Sequence, residues 1–206
     1  MMRKHIIILF LLATLGQLDA QSKYELSGNV EYGISRIEGR HISNKFTWGN
    51  TALVGLYYQT SEKTNSFVLG FGYRYFSTVN SFNDLSIGRS SVRLELGFKR
   101  TILAKKLFGT VSVYGDRLVA TSANSDDARI SSDLEAFSKN YEAGSVVRLY
   151  WNIASFVKVA EKRSVLLSIG YEFGFSNLYD RYFNYLSATA LPIRSRSIRA
   201  GISVGL

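Results

Sequence analysis

Apolar and polar residues alternate over short stretches throughout the chain. The pattern is clearest at residues 66–76, where large apolar side chains alternate with glycine, valine and a single arginine. An alternation with a period of two places the two sets of side chains on opposite faces of an extended strand. The stretch therefore predicts a strand with one strongly apolar face. That face comprises Phe67, Leu69, Phe71, Tyr73 and Tyr75.

Other stretches show the same alternation, and together they predict eight strands. A strand of roughly ten residues is long enough to span a bilayer when it is tilted. The predicted strands are residues 24–35, 50–58, 66–76, 91–99, 107–115, 141–153, 164–175 and 197–206.

The segments between these strands alternate between long and short. Those predicted to be long are residues 36–49, 77–90, 116–139 and 176–193, and those predicted to be short are residues 59–65, 100–106 and 154–163. Long external loops and tight periplasmic turns are typical of outer-membrane barrels. The alternation in length therefore favours a membrane barrel.

The last predicted strand ends with the chain. Its alternate residues from Ile198 to Leu206 are apolar or small, and the residues between them are small or charged. Because an uncovered strand edge needs a pairing partner, we expect this strand to pair with the first one. The predicted fold is all-β: one domain over residues 21–206 that forms an eight-stranded antiparallel up-and-down transmembrane β-barrel.

Residues 1–20 have the pattern of a secretory signal peptide. Arg3 and Lys4 precede an apolar run that begins at Ile6, and Ala20 supplies the small residue before the expected cleavage site. The apolar run is well short of the roughly 20 residues that a membrane helix needs. We therefore expect export and residence in the cell outer membrane.

The faces opposite the apolar ones consist mainly of glycine and serine with isolated charges. A water-facing surface is normally densely charged, whereas small residues leave room for a few long side chains inside a narrow barrel. We expect charged residues of balanced sign to form an ion network that fills the lumen and leaves little or no conductance. They are Glu25, Glu31, Arg74, Arg93, Glu95, Lys99, Glu142, Arg148, Glu172 and Arg199.

Composition narrows the classes of function. The chain has no cysteine, which excludes disulfides and cysteine-based metal or nucleophile sites. Its formal net charge of +9 is spread over strands and turns without a basic stripe, so we expect no nucleic-acid partner. We also expect no cofactor.

The pattern as a whole resembles the small outer-membrane β-barrel family of the OmpA/OmpX type. The resemblance covers residues 24–206, although that family usually ends in an aromatic residue and this chain ends in Leu206. It implies insertion by the barrel assembly machinery and a role between envelope stability and adhesion. We expect a monomer surrounded by outer-membrane lipids and lipopolysaccharide.

The mature chain has one histidine, in the segment His41-Ile42-Ser43-Asn44 of the first long loop. A histidine and a serine two residues apart on a strand face the same way, and Glu38 could orient the imidazole ring. The segment resembles the His-x-Ser-Asn element of outer-membrane lipid A deacylases, which lies late in that family and early here. A lipid A-modifying hydrolase is therefore an alternative function, although an ordinary polar loop is favoured.

The third long loop carries acidic residues without the spacing of a calcium site. The segment Asn124-Ser125-Asp126-Asp127, with Asp133 and Glu135, lacks the Asp-x-Asn/Asp-x-Asp order of a calcium loop. Ser132 and Glu135 instead predict a capping box on a short surface helix. We expect no metal site.

The fourth long loop is the best candidate for binding an unknown surface ligand. Aromatic residues beside arginine are typical of interaction hot spots and also of an interfacial girdle. The candidates are Tyr179, Arg181, Tyr182, Phe183 and Tyr185.

The leading prediction is a non-enzymatic outer-membrane protein that displays such loops. A secreted lipocalin-like carrier, with its apolar face turned inward around a ligand, is a second alternative.

Overall fold

The computed structural model describes residues 24–38, 46–60, 65–80, 85–103, 106–124, 132, 136, 138–154, 164–179 and 193–206. The predicted signal peptide, residues 1–20, lies outside this range. No helix in the described part of the chain is long and apolar enough to cross a membrane.

Eight antiparallel strands close into a barrel in which every strand pairs with its neighbours in the chain and β1 pairs with β8. This confirms the predicted up-and-down barrel, and the architecture agrees with the resemblance to the OmpA/OmpX type. The strands are β1 (Tyr24–Glu38), β2 (Phe46–Thr60), β3 (Asn65–Asn80), β4 (Leu85–Leu103), β5 (Leu107–Asn124), β6 (Tyr141–Asn152), β7 (Val165–Gly174) and β8 (Arg194–Gly205).

The closing seam between β1 and β8 runs from the pair Ser27 and Gly205 to the pair Glu38 and Arg194. Glycine permits a close approach of the two backbones there. A Cβ atom built on Gly33 would lie only 1.9 Å from the carbonyl oxygen of Ile198. The predicted pairing of the first and last strands is therefore present, and it depends on a position without a side chain.

The barrel has two different ends. We call the end that carries connections 39–45, 81–84, 125–140 and 175–193 the outer end, and the opposite end, where β1 begins, the inner end. At the outer end six strands, β1 to β5 and β8, extend beyond their predicted bounds. Residues 77–90, expected to be a long loop, are instead largely strand, with only residues 81–84 between β3 and β4. The predicted alternation of long and short connections therefore fails at this position.

The sequence pattern missed these extensions because the polarity of the two strand faces exchanges near the outer end. In the middle of the barrel the apolar side chains point outward, and Val30 and Phe71 are 58% and 60% exposed. Towards the outer end the buried, inward positions become apolar, as at Ile37, Phe76 and Ile87. The period of two continues through this change. A prediction that requires the apolar residues to stay on one face of a strand therefore places the end of the strand too early.

Candidate functional site

The interior of the barrel contains a continuous network of buried ion pairs. Arg74, Arg93, Arg148 and Arg199 are each 2% exposed or less. They come from the inward faces of β3, β4, β6 and β8, where neighbouring positions are small. Glycine and serine on these faces leave the space into which the long arginine side chains extend.

Glu172 of β7 is the centre of this network. Its Oε1 lies 2.7 Å from Arg74 Nη2, and its Oε2 lies 2.5 Å from Arg93 Nη1 and 2.6 Å from Arg199 Nη2. One carboxylate thereby joins guanidinium groups from three other strands. Removing it would leave three buried cations without their common partner.

Asp116 of β5 and Glu142 of β6 extend the network towards the outer end. Arg93 binds Asp116 with two parallel hydrogen bonds, from Nε at 2.7 Å and from Nη2 at 2.8 Å. Arg74 Nη1 donates to both acids, at 3.0 Å in each case. Tyr114 donates to Glu142 at 3.2 Å, and its ring lies under the Arg93 guanidinium, 3.7 Å away.

Glu31 and Glu95 extend the network towards the inner end. Arg148 donates from Nε to Glu31 at 2.7 Å and from Nη2 to Glu95 at 3.1 Å. Arg199 Nε reaches the other oxygen of Glu31 at 2.9 Å. The hydroxyl of Tyr57 donates to Glu95 at 3.2 Å. Each guanidinium is therefore shared between acids on different strands, which fixes the strands relative to one another.

The network holds four guanidinium groups against five carboxyl groups. The acids are Glu31, Glu95, Asp116, Glu142 and Glu172, all buried. So many charged groups are tolerated in a desolvated interior only because each one has a partner of opposite charge. No set of three or more acidic or histidine side chains in the described ranges is arranged to hold a metal ion. The arrangement is suited to packing, because each of its charged groups forms an ion pair with an oppositely charged group of the network.

A cluster of buried apolar residues, which we call the plug, lies above the ion network at the outer end. It consists of Ile37, Phe76, Leu85, Ile87, Leu178, Tyr179 and Ile193. The Arg74 guanidinium lies 4.8 Å from the ring of Phe76, which brings plug and network into contact. The plug residues come from three strands at the outer end and from the segment that follows β7.

Arg89 of β4 holds two outer segments against the plug. Its Nη1 donates to the carbonyl of Leu178 at 3.2 Å and to Ser138 Oγ at 2.5 Å, and its Nη2 donates to the carbonyl of Lys139 at 2.9 Å. The backbone N–H of Lys139 in turn donates to the carbonyl of Leu178 at 2.9 Å. One buried side chain thereby connects the end of the third outer connection to the start of the fourth.

The inner end is polar but much less tightly paired. Lys99 Nζ donates to Gln59 Oε1 at 3.0 Å, and Gln59 Nε2 donates to Glu25 Oε2 at 2.5 Å. A cavity of about 20 Å³ lies beside them, lined in part by Tyr57, Lys99 and Tyr150. That volume is close to the room that one water molecule occupies.

The structure brings together eight of the ten charged residues that the sequence suggested for the lumen. Glu25 is exposed at the inner end, and Lys99 is half-buried there, so neither joins the network. Asp116 was missed because residues 116–139 were expected to be a loop, whereas β5 continues to Asn124. The signal for it was present, since Tyr114 and Asp116 continue the inward-facing alternation. Arg89 was missed for the same reason on β4.

Of the five predicted ligand-binding residues in the fourth long loop, the structure describes only Tyr179. Tyr179 is 1% exposed and packs in the plug, so it is not available to a surface ligand. Arg181, Tyr182, Phe183 and Tyr185 lie outside the described residues. So do His41 and Ser43, the acidic segment 125–127, Asp133, and Glu135 of the predicted capping box.

No protein-family model matches the chain, and no curated protein matches it in sequence. Among solved structures, it is similar to Neisserial surface protein A (NspA), with 7% identity and a TM-score of 0.48 over 88% of this chain and 97% of that one. It is also similar to Ail, the attachment invasion locus protein of Yersinia pestis, with 11% identity and a TM-score of 0.44 over 89% of this chain and 99% of that one. Both likenesses concern the fold.

Proposed function

We propose that this chain is a non-enzymatic integral outer-membrane β-barrel that anchors its outer connections at the cell surface and contributes to envelope stability or surface interaction. The observation that carries the proposal is the direction of the side chains. Large apolar residues cover the outside of the barrel, while the central interior is lined with ion pairs. A water-soluble protein has the reverse arrangement.

The apolar exterior supports a lipid environment. Soluble monomers rarely expose a continuous apolar surface larger than a few hundred Å². Here every strand contributes outward apolar residues, among them Leu94, Val111, Ile169 and Ile202, all exposed. A lipocalin-like carrier would need these residues around an internal ligand, and their outward direction argues against that alternative.

The filled interior supports an anchoring role over transport. The ion network occupies the middle of the barrel, and the apolar plug lies above it. A small eight-stranded barrel is first of all packed by its inward side chains. The proposal includes export through residues 1–20, insertion by the barrel assembly machinery, and a monomer surrounded by lipids and lipopolysaccharide.

Site-directed spin labelling tests the membrane location. The chain has no cysteine, so single cysteines at Val30 and Ile169, both more than half exposed, can be labelled specifically. Inward glycines are unsuitable because a side chain on Gly201 would lie 2.2 Å from the Val30 carbonyl. A label at exposed Thr47, at the outer end, is the control.

In liposomes, we expect the labels at Val30 and Ile169 to be relaxed by oxygen and shielded from a water-soluble nickel chelate. The Thr47 label should be accessible to the chelate. If the two strand labels were as accessible to the chelate as the Thr47 label, the apolar face would not lie in lipid and the proposal would fail.

The non-enzymatic part of the proposal has its own test. We expect His41→Ala to leave the acylation pattern of lipid A unchanged. The measurement is mass spectrometry of lipid A from cells that express the unchanged chain and from cells that express the variant. A change in the number of acyl chains that requires His41 would favour the hydrolase alternative instead.

A further inference from the structure

A compact cluster of charged residues lies on the outside of the barrel at the outer end of the seam. Arg36 pairs across the seam with Arg196, and Glu38 pairs with Arg194. The outward residues directly below them are Ile34 and Ile198. We call the four charged residues Arg36, Glu38, Arg194 and Arg196 the seam patch.

The seam patch has more positive charge than negative. Like charges directly opposite one another on neighbouring strands are destabilising, which applies to Arg36 and Arg196. Glu38 forms ion pairs with both of these arginines, so one carboxylate serves two guanidinium groups. Arg194 adds a third, exposed cation. The connection that follows Glu38, residues 39–45, contains Arg40 and Lys45 and no acidic residue.

Aromatic side chains flank the patch on both sides. The Arg36 guanidinium lies 4.7 Å from the ring of Trp48 on β2, and Arg196 Nη1 donates to the hydroxyl of Tyr171 on β7 at 2.6 Å. Tryptophan and tyrosine concentrate at the level where lipid headgroups meet acyl chains. The flanking rings therefore place the patch at the boundary of the apolar belt.

The chemistry of the patch fits a phosphate group. A guanidinium presents a planar fork of N–H donors that matches phosphate oxygens, and three such forks from two adjacent strands surround an anion better than one. The apolar belt begins at the next outward pair below, Ile34 and Ile198, where the acyl chains of the same molecule would lie. A ligand that carries phosphates above several acyl chains can bind the arginines of the seam patch and contact the apolar belt at the same time.

We propose that the seam patch binds the phosphate groups of a phosphorylated, multiply acylated glycolipid of the outer leaflet, of the lipid A type. The inference rests on the proposed membrane location and adds the binding residues to it. Glu38 competes with the phosphate for Arg36 and Arg196, so the glycolipid replaces an internal ion pair when it binds.

Tryptophan fluorescence provides the measurement. The chain has two tryptophans, and Trp151 lies at the inner end of β6, so a Trp151→Phe background leaves Trp48 as the reporter beside Arg36. The folded barrel in detergent is titrated with bisphosphorylated lipid A, with the same lipid after removal of its phosphates, with phosphatidylglycerol and with inorganic phosphate.

We expect the bisphosphorylated glycolipid to bind roughly tenfold or more tightly than its dephosphorylated form. The triple variant Arg36→Gln/Arg194→Gln/Arg196→Gln should lose that preference. Glu38→Gln should strengthen binding, because it removes the competing carboxylate. The matched control is Arg100→Gln/Arg117→Gln, which removes two other exposed arginines of the barrel and should leave binding unchanged.

Several results would overturn the inference. These are equal binding by the triple variant and the control, no effect of removing the phosphates, or equal affinity for phosphatidylglycerol or inorganic phosphate. Each variant is checked for folding by its heat-dependent gel mobility. If binding failed while the labels at Val30 and Ile169 still reported lipid, the inference would be wrong and the proposed function would stand.

Discussion

Arg148 of β6 and Glu31 of β1 meet inside the barrel, with Nε of the arginine 2.7 Å from Oε1 of the glutamate. Their strands are not neighbours in the sheet, so this ion pair crosses the interior. The other oxygen of Glu31 accepts from Arg199 on β8 at 2.9 Å. The closing seam is thereby tied to β6 through a single buried carboxylate.

Replacing Arg148 with methionine should destabilise the barrel strongly. Methionine retains much of the length of the side chain but leaves Glu31 and Glu95 without the guanidinium that they share. Stranding a buried charge in this way costs about 3 to 5 kcal/mol. The measurement is the temperature at which the folded band disappears on a gel. Arg117→Met, at an exposed outward position, is the control, and equal melting of both variants would contradict a structural network.

The network also predicts a rank order among its acids. Glu172 pairs with three arginines, whereas Glu95 pairs with Arg148 and accepts one bond from Tyr57. Glu172→Gln should therefore lower the free energy of unfolding by about 3 to 5 kcal/mol. Glu95→Gln should lower it by about 1 to 3 kcal/mol. Urea titration of the folded protein in detergent measures both values, and the reverse order would show that Glu172 is not the centre of the network.

The central part of the barrel could be predicted because one physical rule applies along its whole length. An apolar outer face and a narrow polar lumen require the same alternation on every strand, so the alternation around residues such as Phe71 and Arg74 was sufficient to assign the two faces. The ion partners could not be predicted in the same way. Glu31 and Arg148 are far apart in the chain, and only the closed barrel brings them into contact.

The outer end could not be predicted, because a different rule applies there. Above the apolar belt the inside of the barrel becomes apolar, as Ile37 and Ile87 show, and charged residues such as Arg36 occur on the outside. The sequence of β4 between Leu85 and Ser90 contains serine, glycine and arginine, which are also typical of loops. Arg89 therefore looked like a loop residue, although it is the side chain that holds two outer segments together.

Barrel closure should be sensitive to a methyl group at Gly33. A Cβ atom at this position would lie 1.9 Å from the Ile198 carbonyl oxygen on the paired strand, whereas one at Gly28 on the same strand would meet nothing within 4 Å. Gly33→Ala should therefore reduce stability by about 1 to 3 kcal/mol. Gly28→Ala should be close to neutral. Heat-dependent gel mobility of the two variants, compared after identical refolding, checks this, and equal behaviour would argue against a close approach at the seam.

Arg89→Met should free the outer segments without unfolding the barrel. The variant loses the hydrogen bonds to the Leu178 and Lys139 carbonyls and to Ser138, while the ion network below remains intact. Limited proteolysis of the folded protein should cut within residues 125–137 or 180–192 faster than in the unchanged chain. Arg100→Met, at the inner end of β4, serves as the control. Unchanged cleavage of the Arg89 variant would mean that the plug holds these segments without it.

The closed interior predicts that the barrel does not conduct ions, even when the plug is weakened. The plug and the ion network lie in series, so an ion would have to pass Phe76 and Leu178 and then displace the guanidinium groups around Glu172. We therefore expect no discrete conductance steps in planar bilayers for the unchanged chain, and none for Phe76→Ala/Leu178→Ala, because the network below still fills the lumen. Regular, voltage-dependent steps from either protein, absent from a mock preparation, would contradict a structural core and would indicate an open path past Arg93.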